Sequence, residues 1–366
     1  MYTSYFFVTT MGIVGDFMDQ NIYEMYKFLY EYGNPIIVNE AAKYIGVHKE
    51  ELRQGMLESP KVQYWIDCLH HFKDKPQVHN AADICFENAM HKLLSYGVRE
   101  ADDKRIHEIN TFILEFLNSI VGYQNFFDSV NATILASWLA CMGHTETIII
   151  DVLRERVEFV YSFVKHKDYN IHVDPKGFPA IPKTRAMHPL VNPKLYENNI
   201  WRLPTIHDIF AYAHLPKILH DDKQIQRKID AILEYIFDER YQRLYSGYGL
   251  MLVPPNRYYG MGWSMHLCRY FENNSMDSDG IVWQMALMSN FKKARETEWF
   301  KNNLEHLKSF KKDEVYEFPA SYLMEVKNKY YVLGYHMGLG ENRKKNLSKK
   351  LESTAWMLRI IHNNRC

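Results

Sequence analysis

The chain has 366 residues with 44 basic and 44 acidic side chains, so its formal charge at pH 7 is zero. A chain without a net field has little to attract a polyanion, because non-specific nucleic-acid binding rests on neutralising phosphates. A hydrophobic share of 47% excludes disorder and is enough for one large or two ordinary cores.

Cys68, Cys85, Cys141, Cys268 and Cys366 are odd in number and form no CxxC pair, which argues against a disulfide framework or a cysteine-rich zinc module. A reducing, cytoplasmic setting is the simpler expectation. The apolar stretch from Tyr5 to Gly15 lacks the basic residues of a signal peptide and is short of the roughly 20 residues a membrane helix needs. It is expected to be a buried N-terminal segment, with peripheral membrane contact left open. The region to about residue 75, with its Asn34-Pro35 turn, either caps the fold or supplies its first hairpins.

From there two kinds of helical segment alternate. His91 to Tyr96, ending at Gly97, is expected to be an inner helix; Ile106, Ile109, Ile113, Phe116 and Leu117 then mark an amphipathic outer one. Ala132 to Met142 is apolar nearly all round, as a helix buried on all sides must be. After Gly143, Ile149, Leu153, Val157, Val160 and Val164 form another outer stripe. Ile206 to Leu215 pairs in the same way with Asp221 to Phe237. Ile281 to Met288 is followed by Phe300, Leu304 and Leu307, and Leu351 to Ile361 closes the series. Strand signals are sparse, the best being Lys329 to Tyr335 as one arm of a short hairpin or loop.

Two connections are long: the Pro-rich 166–204 and the Gly- and Tyr-rich 240–263. Ordered loops of that length more often line a mouth or form a lid than merely join helices, the other reading being a strap packed across the ring's end. Repeated buried-then-amphipathic hairpins are the mark of a helical array. Inner helices with almost no charge favour a closed ring, so the expected fold is all-α: one α/α toroid over 1–366, built from helical hairpins, with Gly/Pro/Tyr-rich loops at one end.

Ala136 to Gly143, the outer helix after it and Asp174-Pro-Lys-Gly-Phe-Pro179 resemble a repeat of the terpenoid cyclase and protein prenyltransferase superfamily. Asp277-Ser-Asp-Gly280 before Ile281 is similar to the Asp-x-Asp-Asp motif that opens an inner helix in class II cyclases, with Gly280 in place of the last Asp. The resemblance implies an α/α toroid with an apolar central cavity. It also implies Asp279 as the acid that protonates an isoprenoid, with Asp277 beside it. A carboxyl kept neutral in an apolar cavity has the raised pKa that role needs. On the other reading, both acids simply cap the helix at Ile281.

Trp138, Trp263, Trp283, Trp356, Tyr248 and Tyr259 are the candidate ligand-binding aromatics, since ring faces pack hydrocarbon and stabilise carbocations. His207 and Asp208 join them at the start of an inner helix. His266, Cys268 and His336 have no zinc-site spacing, so neither metal nor cofactor is expected. Asp83 and Glu87 are either paired carboxylates or salt-bridged structural acids, and Asp102-Asp103 and Asp221-Asp222 read as helix caps. Three functions stay open: a toroid binding an apolar or isoprenoid-like small molecule, with acid-initiated cyclisation as its enzymatic form; a non-enzymatic protein-interaction scaffold; and a carbohydrate-active α/α barrel with paired carboxylates.

Overall fold

A computed structural model describes residues 20–268 and 280–364. The chain is mostly helical with a small sheet. In chain order the longer helices are α1 (Gln20–Tyr32), α2 (Pro35–Lys43), α3 (Glu50–Leu57), α4 (Pro60–His70), α5 (Phe86–Ser95), α6 (Lys104–Ile120), α7 (Asp128–Cys141) and α8 (Thr147–Val164). Strands β1 (His172–Val173) and β2 (Leu190–Val191) come next, then α9 (Ile206–Ala213) and α10 (Lys223–Phe237). These are followed by β3 (Tyr248–Val253), β4 (Arg257–Gly262), α11 (Ile281–Met288) and α12 (Glu298–Lys308). A two-residue hairpin, β5 (Lys311–Lys312) and β6 (Val315–Tyr316), precedes α13 (Ser348–Asn363). None of the described helices is long and apolar enough to cross a membrane.

Periodicity predicts these helices well. Ile149, Leu153, Val157, Val160 and Val164 are all buried on α8, as are Ile225, Ile229, Ile232, Leu233 and Ile236 on α10. The uniformly apolar segments are buried on every side: all eight residues of α11 are inaccessible, and so is α7 from Val130 to Leu139 apart from Asn131. Several ends carry side-chain caps. Asn34 accepts from the Ile36 and Ile37 amides with Pro35 at the first helical position, and Asp222 accepts from Gln224 and Ile225. Asp102 closes a capping box with Arg99, and Asp103 accepts from the Arg105 amide before α6.

The chain divides into two compact units, Met1–Ile106 with Cys268–Cys366, and His107–Leu267. In the first, α13 packs on α1, α2 and α11, and α4 packs on α5. The N-terminal helices thus share a core with the last one. In the second, α7 packs on α8 and α9, and α8 packs on α10.

The two long connections are where the all-helical expectation fails. They carry a four-stranded sheet in the order β1-β2-β3-β4, with β2 and β3 parallel and the other neighbours antiparallel. Few β-branched residues mark these strands; a hairpin of alternating Tyr, Gly and Met instead pairs Tyr248 with Gly262 through to Val253 with Arg257. Gly249, at φ +106°, lets the Pro189 carbonyl approach where a Cβ would sit 2.4 Å from its oxygen. The Lys329–Tyr335 segment is a 3-10 turn at Tyr331–Leu333. Pairing comes only beside it, as Val326 N–H donates to Tyr335 O and Met337 N–H to Met324 O. Gly334, at φ +79°, ends that turn, so no continuous strand forms.

Candidate functional site

In the second unit the chain threads aromatic rings together from separate segments. Trp201 is the hub. Its ring lies 5.9 Å from Tyr196, 5.9 Å from Tyr248 and 6.2 Å from Trp263, centroid to centroid. Trp263 continues edge-on to Phe127 at 5.9 Å and to His207 at 6.2 Å, and Phe127 reaches Tyr259 at 5.4 Å. Such offset and edge contacts add to the burial energy of each ring. Tyr259 is about a third exposed, whereas Trp201 and Tyr248 are buried. The run therefore leads from solvent to the core.

Polar atoms around these rings are nearly all engaged. The Tyr248 hydroxyl donates to Pro204 O at 2.5 Å and lies 2.6 Å from the Tyr241 hydroxyl, which accepts from Met265 N–H at 3.0 Å. Burial raises the pKa of Tyr241 and Tyr248 and pushes Tyr196 up to about 12, so the phenols stay neutral donors. Trp201 Nε1, however, is buried and has no hydrogen-bond partner among the described residues. A buried donor of that kind costs about 1–3 kcal/mol until something accepts from it.

Asp208 does not open into this cluster. Its carboxylate takes Arg156 Nε at 2.6 Å and Nη2 at 2.8 Å, plus the Thr205 amide and hydroxyl at 2.7 and 2.8 Å. Arg156, on α8, also donates to the Trp201 and Leu203 carbonyls. Burial lowers the Arg156 pKa, but Asp208 outweighs it and raises the net value. The pair is a structural clamp that holds 201–203, and with it the Trp201 ring, against α8. Its carboxylate is satisfied and does not serve as a pocket group. His207 is buried on α9 against Trp263.

The other sequence candidates are scattered. Trp138 is buried on α7 and donates to Asn110 Oδ1 at 2.6 Å. Trp283 and Trp356 belong to the first unit. Trp356 donates to Met337 O at 2.8 Å and lines a cleft with Glu40, Ala41, Tyr44, Leu339, Ala355 and Arg359. That cleft encloses only about 10 Å³, room for about one water, and Arg359 is already committed to Glu40 and Tyr44. Drug-sized ligands need about 300–1,000 Å³. Asp277 and Asp279 lie outside the described residues, as do the Tyr5–Gly15 stretch and Cys366. His266 is held by Ser264 Oγ and Leu244 O, and His336 by Lys329 O.

The first unit buries a polar helix face instead. Glu87, Asn88, His91, Lys92 and Ser95 of α5 are all inaccessible. Lys92 Nζ spends its three protons on Glu325 Oε2 at 2.8 Å, His336 O at 2.8 Å and Gly338 O at 2.5 Å. Burial lowers its pKa, and Glu325 offsets part of that. Burial would raise Glu325, but Lys92 and His336 outweigh it and hold the carboxyl at about 2. Asp83 precedes α5 and accepts from Asn328 N–H at 2.7 Å and from the Tyr64 hydroxyl at 3.3 Å, while Glu87 pairs with His79. Asp83 and Glu87 are therefore separately partnered acids and not a catalytic pair.

Sequence reasoning missed Trp201, Arg156 and Lys92. Trp201 sits in the Pro-rich connection three residues before Pro204, where no periodicity marks it. Arg156 was findable: it falls between Leu153 and Val157, inside the apolar stripe of α8. No protein-family profile, curated protein or solved structure matches the chain.

Proposed function

We propose that the chain binds an apolar, isoprenoid-like small molecule at the Trp201 aromatic cluster. One observation carries the reading: a run of rings leads inward from Tyr259, about a third exposed, to Trp201, whose buried indole N–H lacks an acceptor among the described residues. Ring faces and edges suit a hydrocarbon chain, and the free indole donor suits a hydroxyl or phosphate oxygen at its head. Within the described part of the cluster no carboxylate is free, because Asp208 is saturated by Arg156 and Thr205. That supports binding over paired-carboxylate sugar chemistry in this unit. The helical hairpins fit the α/α toroid of the terpenoid cyclase and prenyltransferase resemblance, with Asp279 as the acid should the ligand also be cyclised.

Titrating the full chain with farnesol, and following tryptophan fluorescence, tests the reading. Saturable quenching is expected, weakened at least tenfold in Trp263→Leu and several-fold in Tyr259→Ala. Quenching that never saturates, or that both variants leave unchanged, rejects the cluster as a site and leaves the scaffold reading. For the enzymatic form, a cyclised product from a polyprenyl substrate should vanish in Asp279→Asn.

A further inference from the structure

The rings of the second unit set the order in which a bound molecule meets them. Tyr259 is outermost at about a third exposed, Phe127 and Trp263 follow, and Trp201 lies deepest with 1% of its surface accessible. The unmatched polar atom is at the inner end, because Trp201 Nε1–H has no acceptor among the described residues. A chain-like ligand that satisfies it enters head first. Its oxygen meets Trp201, and its hydrocarbon tail lies back along Trp263 and Phe127 toward Tyr259.

Head-first entry makes the charge of the head decisive. An ionised group taken that far from water costs far more than one hydrogen bond returns, unless cations meet it. The buried cation of this region is committed elsewhere: Arg156 gives Nε and Nη2 to Asp208, and Nη1 and Nη2 to the Trp201 and Leu203 carbonyls. Arg202, between the buried Trp201 and Leu203, is only half-buried and turns Nη1 to the Ile200 and Lys194 carbonyls at 3.3 and 3.5 Å. Of the ring cluster's own side chains only His207 can take up a positive charge. That is one imidazole against the several negative charges of a prenyl diphosphate. The phenols offer no spare help, since Tyr248 donates to Pro204 O while Tyr196 donates to Val191 O and accepts from Leu252 N–H at 3.1 Å. Aromatic faces carry partial negative charge and repel an anion laid against them.

Resting on the ligand reading above, we propose that the Trp201 cluster takes a neutral terpenoid with one oxygen acceptor at its head, such as an alcohol, a carbonyl or an ether, and excludes prenyl diphosphates. The donor belongs to the protein, so the oxygen of the ligand needs a lone pair but no hydrogen. An ether therefore serves as well as an alcohol. A hydrocarbon without oxygen fills the rings but leaves the indole unmatched.

Four ligands of one chain length test this on the full chain by tryptophan fluorescence: farnesol, farnesyl methyl ether, farnesene and farnesyl diphosphate, the last with and without magnesium. The ether should bind within about threefold of farnesol, and farnesene about tenfold more weakly, for want of one hydrogen bond. The diphosphate should be weaker than farnesol by about a hundredfold or more under both conditions. Trp201→Phe keeps a ring but drops the N–H, and should bring farnesol and farnesene to equal affinity. If circular dichroism shows that variant unfolded, the order of the four ligands on the wild type decides alone. Diphosphate or farnesene binding as tightly as farnesol would overturn this inference and leave an aromatic site standing. Failure of all four to saturate would overturn the ligand reading, and this inference with it.

Discussion

Both units tie down an irregular segment with a cation carried on a helix, but they do it with different chemistry. In the second, Arg156 of α8 holds the Trp201 and Leu203 carbonyls and meets Asp208 in a two-pronged contact where both side chains are buried. In the first, Lys92 of α5 holds the His336 and Gly338 carbonyls and meets Glu325, whose side chain is about a third exposed. The guanidinium fork fixes a direction as well as a charge, whereas an ammonium acts as a point. The segment that positions an aromatic hub is held by the fork. The segment held by Lys92 stays in touch with water through its acid.

The largest effect should come from breaking the enclosed pair. Arg156→Met leaves Asp208 buried and uncompensated, costing about 3–5 kcal/mol in urea denaturation. Hydrogen exchange should rise first at residues 201–203, and Arg156→Lys should recover only part of the loss because it cannot span both carboxylate oxygens. Lys92→Met should cost less, about 2–3 kcal/mol, since Glu325 can turn to solvent, with exchange rising at 336–338. Equal costs for the two would remove the distinction between them.

Acid titration sharpens the same contrast. Glu325 is held at about 2, below its unfolded value, so its contribution is complete above about pH 4.5 and is lost as pH falls toward 2. Glu325→Gln should flatten the stability profile across that window, and an unchanged profile would deny Lys92 and Glu325 their coupling. Smallest of all, Asp222→Ala should cost about 1 kcal/mol by uncapping α10.

How much of this was legible follows from what leaves a periodic trace. The stripes of α8 and α10 and the all-apolar α7 and α11 announce themselves, because burial at a 3.6-residue repeat selects side-chain type. The sheet does not: Tyr248 to Gly262 pairs with Val253 as its only β-branched residue, and its short partners β1 and β2 have two residues each. Among the site candidates, Trp263, Tyr248, Tyr259 and His207 do converge, as their place in the Gly- and Tyr-rich loop and beside Pro204 suggested. Their hub, Trp201, is joined to them only through tertiary contacts. Asp208 looked like a pocket acid because its partner, Arg156, lies 52 residues earlier in what reads as an outer helix.

The most direct test of the aromatic cluster as a ligand site is native mass spectrometry of the freshly purified full chain, beside its Trp263→Leu variant. A bound apolar molecule should appear as a discrete mass increment on the wild type, released by organic solvent and missing from the variant. A wild-type mass that matches the sequence alone, both before and after incubation with excess farnesol or geranylgeraniol, would contradict the account.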